Sequence, residues 1–98
     1  MKFTIRPYET ISTSISGKYA AKAEIGNCTY QFEGATSWRE AIVGLVSLMF
    51  RSRLWTKDHI IAFCTYLDPN PEALAEEALE DHCRWSGKYR RERDWWDA

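Results

Sequence analysis

The hydrophobic period of the chain changes at Gly34, and that change limits the folds open to it. Before Gly34, apolar residues recur at every second position; after it they recur three and four apart. Phe3 and Ile5 alternate with Lys2, Thr4 and Arg6 until Pro7, which ends a strand or forces it to an edge. Ile11, Thr13 and Ile15 alternate with Ser12, Ser14 and Ser16. Tyr19, Ala21, Ala23 and Ile25 alternate with Lys18, Lys22 and Glu24, and Cys28, Tyr30 and Phe32 with Thr29, Gln31 and Glu33. Gly26-Asn27 fits a two-residue hairpin turn, since both residues tolerate positive φ. The expectation for 1–34 is an antiparallel β-meander with one buried and one wet face.

Beyond Gly34, Ser37 and Glu40 match a capping box. Trp38, Ala41, Ile42, Leu45, Val46 and Met49 then form a helical stripe, which Val43, Leu48 and Phe50 widen. Gly44 lies inside this helix, placed to allow close approach to the sheet. Thr56 is positioned to cap a second helix reaching about Leu67, with Ile60, Ile61, Phe63, Cys64 and Leu67 inward. Asp68-Pro69-Asn70-Pro71 stops it, and Asn70 with Pro71 starts a third helix. That helix runs to about Trp85, carries Leu74, Ala75, Ala78, Leu79 and His82 on one face, and stops at Ser86-Gly87.

The reading is α+β: one domain over 1–87, with strands in 1–34 and three helices in 37–85, and a charged, Trp-rich tail over 88–98 without amphipathic period. A wholly helical second half standing off the sheet is the alternative. The longest apolar run, Leu45 to Phe50, is far short of the ~20 residues of a membrane span. No apolar stretch precedes Arg6, so no secretory signal is expected. Cys28, Cys64 and Cys83 cannot all pair within one chain and form no CxxC, which suits free thiols in a reducing cytoplasm.

Charge narrows the function classes. Thirteen basic and 14 acidic residues leave a net charge of −1, which disfavours direct nucleic-acid binding. The balance conceals segregation: Glu72, Glu76, Glu77, Glu80 and Asp81 precede Arg84, Lys88, Arg90, Arg91 and Arg93, with Glu92 alone among the latter. Pairs such as Glu80 with Arg84 would be i, i+4 neighbours. His59, Cys64, His82 and Cys83 are the only metal-type group, and their spacing does not suit zinc. Cys64 and His59 fall on different sides of a helical turn, and no GxSxG or Gly-rich phosphate loop is present, so no catalytic residue, cofactor or metal is expected. Helix, short link and helix over 37–67, with Arg51, Arg53 and Lys57 near the turn, keep a DNA-binding regulator as a rival reading. An inhibitor of another host defence nuclease, of the anti-CRISPR kind, is a further alternative.

Five Trp are present in 98 residues. Trp38 belongs to the helical stripe and Trp55 to a helix junction. Trp85, Tyr89, Arg90, Arg91, Trp95 and Trp96 lie where little core is available, and are the residue types richest in interface hot spots. They are read as a partner-binding tail. Asp68, Pro69, Asn70 and Pro71 form a second candidate surface, ordinarily a linker, in which an exposed Asp68–Pro69 bond would suit a prolyl isomerase.

The Met1-Lys2-Phe3-Thr4 start, the Asp68-Pro69-Asn70-Pro71 linker, the Arg90-to-Trp96 tail and the length of the chain together resemble the small anti-RecBCD recombination proteins of temperate Salmonella phages. The likeness is spread over the whole chain. It implies a non-enzymatic modulator acting in the host bacterial cytoplasm, which binds the RecC subunit of the RecBCD helicase-nuclease and blunts both its response to Chi and its destruction of linear phage DNA. It also implies a host peptidyl-prolyl isomerase as second partner, with Pro69 the matching position.

Overall fold

The computed structural model describes residues 8–12, 18–87 and 89–97, with side chains for 19–87 and 91–97. It is α+β: strands β1 (Tyr8–Ser12), β2 (Lys18–Ile25) and β3 (Cys28–Ala35), then helices α1 (Trp38–Ser52), α2 (Lys57–Thr65), α3 (Pro71–Ser86) and α4 (Tyr89–Asp97). The chain divides into two compact units, Met1–Leu45 and Val46–Ala98. No helix among the described residues is long and apolar enough to cross a membrane.

In the first unit the strands form an antiparallel sheet in the order β1-β2-β3. The alternation anticipated at Phe3 and Ile5, and at Thr13 and Ile15, lies outside the described residues. The hairpin turns at Gly26-Asn27, with Gly26 at φ 59°. Ala21, Ala23 and Ile25 of β2 are buried. They pair with Phe32, Tyr30 and Cys28, which share their face. The pairing slips between Tyr19 and Ala21, opposite Ala35 and Phe32, so β3 carries one extra residue there. Gly34 supplies the necessary backbone at φ 81°. The bulge breaks the period of two and turns Ala35 inward, where it is fully buried.

α1 starts on two overlapping caps. Glu40 N donates to Ser37 Oγ at 3.1 Å, as expected, while the Glu40 carboxylate accepts from Thr36 N at 2.9 Å and from the Thr36 hydroxyl. Trp38, which its spacing places in the core stripe, is instead exposed; it occupies the first helical position, and burial begins at Ala41. Gly44 accommodates the sheet. A Cβ built there would lie 2.5 Å from the Phe32 ring, so an aromatic side chain occupies the space a methyl group would need.

The second unit is helical. Thr56 caps α2 by accepting from His59 N at 3.3 Å, and His59 Nδ1 accepts from Thr56 N at 3.4 Å, completing a reciprocal cap. α2 ends at Thr65, short of Leu67, because Leu67 N and Asp68 N both turn back to Cys64 O at 3.0 Å. Asn70 caps α3 through Ala73 N at 3.2 Å, Pro71 takes its first position, and Gly87 closes it in the left-handed region. Ile60, Phe63, Cys64, Leu74, Ala75, Ala78 and Leu79 are buried without remainder. Cys28, Cys64 and Cys83 are free thiols. Past the end of α1 stands Arg53 at φ 57°, the one non-glycine residue with positive φ among those described. L-residues pay roughly 1–2 kcal/mol for this conformation.

Gly44→Ala is predicted to destabilise the protein. Overpacking against Phe32 costs ~1–3 kcal/mol and outweighs the ~1 kcal/mol that Ala gains over Gly in helix propensity. Denaturant unfolding followed by far-UV circular dichroism measures it; an unchanged or raised midpoint would show that Phe32 moves aside freely.

Candidate partner-binding surface

Within the segment 88–98, anticipated as a tail without amphipathic period, Tyr89–Asp97 fold as α4. The correction has a simple cause. The helix does have an inner face, but its members are Glu92 and Trp96, four apart and each 3% exposed, whereas Arg91, Asp94, Trp95 and Asp97 meet solvent. A search for apolar periodicity misses a face of which half is carboxylate.

Trp95 and Trp96 therefore part company. Trp96 is buried and Trp95 keeps 44% of its surface. Trp96 Nε1 donates to Glu76 Oε1 at 3.1 Å, and its carbonyl accepts from Lys57 Nζ at 2.9 Å. The same ammonium lies 4.8 Å from the indole centroid, within cation–π range. Arg93 reaches across to the Glu76 carboxylate with both terminal nitrogens and bonds Asp97 Oδ2 through Nε at 3.1 Å. The Arg93 guanidinium holds the Glu76 carboxyl below its ordinary range. The anticipated cancellation of acidic helix against basic tail thus occurs between α3 and α4; among the described residues Glu80 and Arg84 form no i, i+4 pair.

Beneath α4, Phe50 gathers the rings. Its centroid lies 5.2 Å from Trp96 and 6.2 Å from Trp95, both edge-on, and 6.1 Å from His82, nearly parallel. Glu92 enters this cluster, accepts from the Arg53 guanidinium through Oε1, and faces His82 Nε2 across 3.7 Å. That distance is too long for a hydrogen bond, and neither imidazole nitrogen has a partner among the described residues. Burial pushes the His82 pKa below its ordinary value, against the opposing pull of Glu92. The neighbouring Cys83 thiol is pushed up by burial and stays protonated.

Of the other candidate residues, Trp85 is the most exposed aromatic of the unit among the described residues, at 74%. Arg91 is exposed; Tyr89 and Arg90 lie in α4, with side chains outside the described set. Pro69 and Asn70 are exposed and Pro71 is half-buried. The Asp68–Pro69 bond is trans. Asp68 Oδ1 accepts from Asn70 N at 2.7 Å and so fixes the loop. Asn70 and Trp96, from the two surfaces read separately in the sequence, line one open groove of about 730 Å³ among α2, α3 and α4, over apolar Ile61, Ala62 and Ala73. Sequence reasoning did not single out Glu76, His82 or Glu92 as partners; the one available signal was Glu92, the lone acid within a basic run. Among the described residues no group of three His, Cys, Asp or Glu could hold a metal ion.

No protein-family model matches the chain, and no curated protein or solved structure matches it.

The orphaned histidine makes stability pH-dependent. The unfolded chain protonates His82 near 6.5, the folded protein only at lower pH. Its contribution is therefore complete above 6.5 and declines as pH falls toward the folded value. Glu76, lowered from 4.5, loses its contribution only in stronger acid. The urea midpoint is predicted to drop between about pH 7.5 and about pH 5.5, and His82→Phe, which keeps the stack on Phe50, to reduce that drop. A midpoint that rises on acidification would mean that attraction to Glu92 exceeds the burial penalty. Trp96→Ala is predicted to destabilise by ~3–5 kcal/mol, as for a buried aromatic, with Trp95→Ala costing far less in the same assay.

Proposed function

We propose that the chain is a non-catalytic protein-binding module, and that it takes the form its resemblance implies: a phage protein in the host cytoplasm that binds RecBCD through RecC, restrains its Chi-regulated nuclease activity, protects linear phage DNA and favours phage recombination. One observation carries the protein-binding part. In a helical unit that buries Phe50, Trp55, Phe63 and Trp96, the side chains of Trp85 and Trp95 stay in solvent, as do Leu54 and Tyr66. Large exposed aromatics on a fixed helix are the material of interface hot spots. Their attachment to RecC in particular comes from the resemblance.

The rival DNA-binding reading relied on Arg51, Arg53 and Lys57. Arg53 is engaged by Glu92 and Lys57 by Trp96, which leaves that reading with little basic surface. Inhibition of a different defence nuclease would use the same exposed aromatics and differs only in the protein recovered. A prolyl isomerase has a physically suitable target in the exposed Pro69 of the loop between α2 and α3.

Purified protein added to RecBCD is predicted to suppress degradation of linear DNA and to blunt the response to Chi, and a pull-down from bacterial lysate to recover the enzyme. Recovery of DNA alone, or an unaffected nuclease, would overturn the reading. Trp85→Ala and Trp95→Ala are expected to weaken the complex at least about tenfold, the range of interface hot spots, while leaving the fold intact. Trp96→Ala is unsuitable for that purpose because Trp96 belongs to the core. Pro69→Ala is expected to abolish isomerase binding and to leave RecC binding unchanged.

A further inference from the structure

We propose that the cleft lined by Phe50, Trp55 and Trp95, with the Glu92 carboxylate at its base, is a binding site for an arginine side chain of a protein partner, and that Arg53, which lines the cleft, engages that carboxylate in the free chain. The inference rests on reading the chain as a protein-binding module and specifies what one part of its surface takes.

Three features lead there. The cleft leaves about 170 Å³ beside Arg53, room for the end of one side chain, and three of its five lining residues, Phe50, Trp55 and Trp95, are aromatic. Ring faces attract cations, tryptophan most strongly, and a guanidinium also stacks on them. Glu92 is 3% exposed, so its carboxylate requires a cation at close range. Arg53 supplies that cation incompletely. Its guanidinium bonds Glu92 Oε1 through one nitrogen while half of its side chain stays in solvent. Among the described residues Glu92 Oε2 faces His82, at a distance too long for a hydrogen bond. A carboxylate with one oxygen unused can take the two parallel bonds of a guanidinium fork, which Arg53 does not provide.

The third feature is the backbone of Arg53. It stands in the left-handed region just past α1, where helix termination by itself selects glycine. The residue present is thus a strained one whose side chain reaches into an aromatic cleft, and strain of this kind concentrates at binding sites. An arginine arriving on a partner would replace like with like. Glu92 would keep its charge partner and gain a second bond, Trp95 would cover the stem, and Arg53 would swing out to solvent, where half of it already lies.

The test uses the full-length chain and two small probes, N-acetyl-arginine methylamide and its neutral isostere N-acetyl-citrulline methylamide. The readout is the indole N–H signals of Trp55 and Trp95 in a nitrogen-edited NMR titration. Arg53→Gly should empty the cleft and relieve the backbone. The arginine probe should then bind saturably, at least about tenfold tighter than to the parent, and the citrulline probe should not. Glu92→Gln in the same background should abolish binding. Equal response to the two probes, persistence after Glu92→Gln, or no saturable shift in folded Arg53→Gly protein would overturn the proposal. Should Arg53→Gly lose its dispersed spectrum, Arg53→Asn, which also tolerates the left-handed region, takes its place. RecBCD recovered by a chain that fails the probe titration would overturn the arginine site alone. Probe binding by a chain that fails to recover RecBCD would overturn the RecC reading alone.

Discussion

One indole holds α4 in place, and what the second unit offers a partner depends on it. A nine-residue helix is too short to be stable in water by itself, and this one has a polar sequence. Burial of Trp96 supplies the apolar anchor, and Glu76 satisfies its N–H. The same carboxylate takes the Arg93 fork, so a single acidic residue of α3 fixes two residues of α4. Lys57 holds the same end by donating to the carbonyl of Trp96, a cation at a helix C-terminus, where the peptide dipoles favour it. None of these ion pairs is deeply buried, and each alone would add little. They matter because they act on a helix already placed by Trp96.

Fixing α4 gives Trp95 its value. On a flexible tail, an exposed indole would lose conformational freedom on binding, which would reduce affinity. On a docked helix that ordering has already happened, so more of the contact energy is available to the complex. Adjacent residues on a helix point about a quarter-turn apart, which is why Trp96 can face inward while Trp95 lies at the rim beside the Phe50–Glu92 cleft. The contrast between 3% and 44% exposure in neighbouring residues of one type expresses that geometry.

Features encoded by local chemistry were legible in the sequence. The Gly26-Asn27 turn, the Thr56 and Asn70-Pro71 helix starts and the Gly87 stop each depend on the conformational preference of one or two residues, and each is present. Features that depend on tertiary contact were not. The bulge that turns Ala35 inward follows from pairing with β2, which a strict two-residue period cannot express. Trp38 has the right spacing for the core but the wrong position, one turn ahead of where burial begins. α4 was missed because its inner face joins a carboxylate to an indole, and the carboxylate is acceptable there because Arg53 stands opposite, 39 residues away in sequence. The candidate site was half legible. Residue types pointed to Trp85 and Trp95, while nothing local to Pro69 or Trp96 showed that Asn70 and Trp96 would line the same groove.

Glu92 is the residue whose presence stability explains least. A buried ion pair is a poor way to hold a helix, because desolvating both charges consumes most of their attraction, and apolar side chains of similar size commonly do better. Here the pair is poorer still: it satisfies one carboxylate oxygen and leaves a buried imidazole without a hydrogen bond. Leucine or methionine at that position would complete the apolar face with Trp96 and avoid burying a charge. A carboxylate set among aromatic walls does what those residues cannot, which is to distinguish a cation from every other side chain. On the proposed reading the physical case for Glu92 is one of recognition, with α4 carrying it into the cleft.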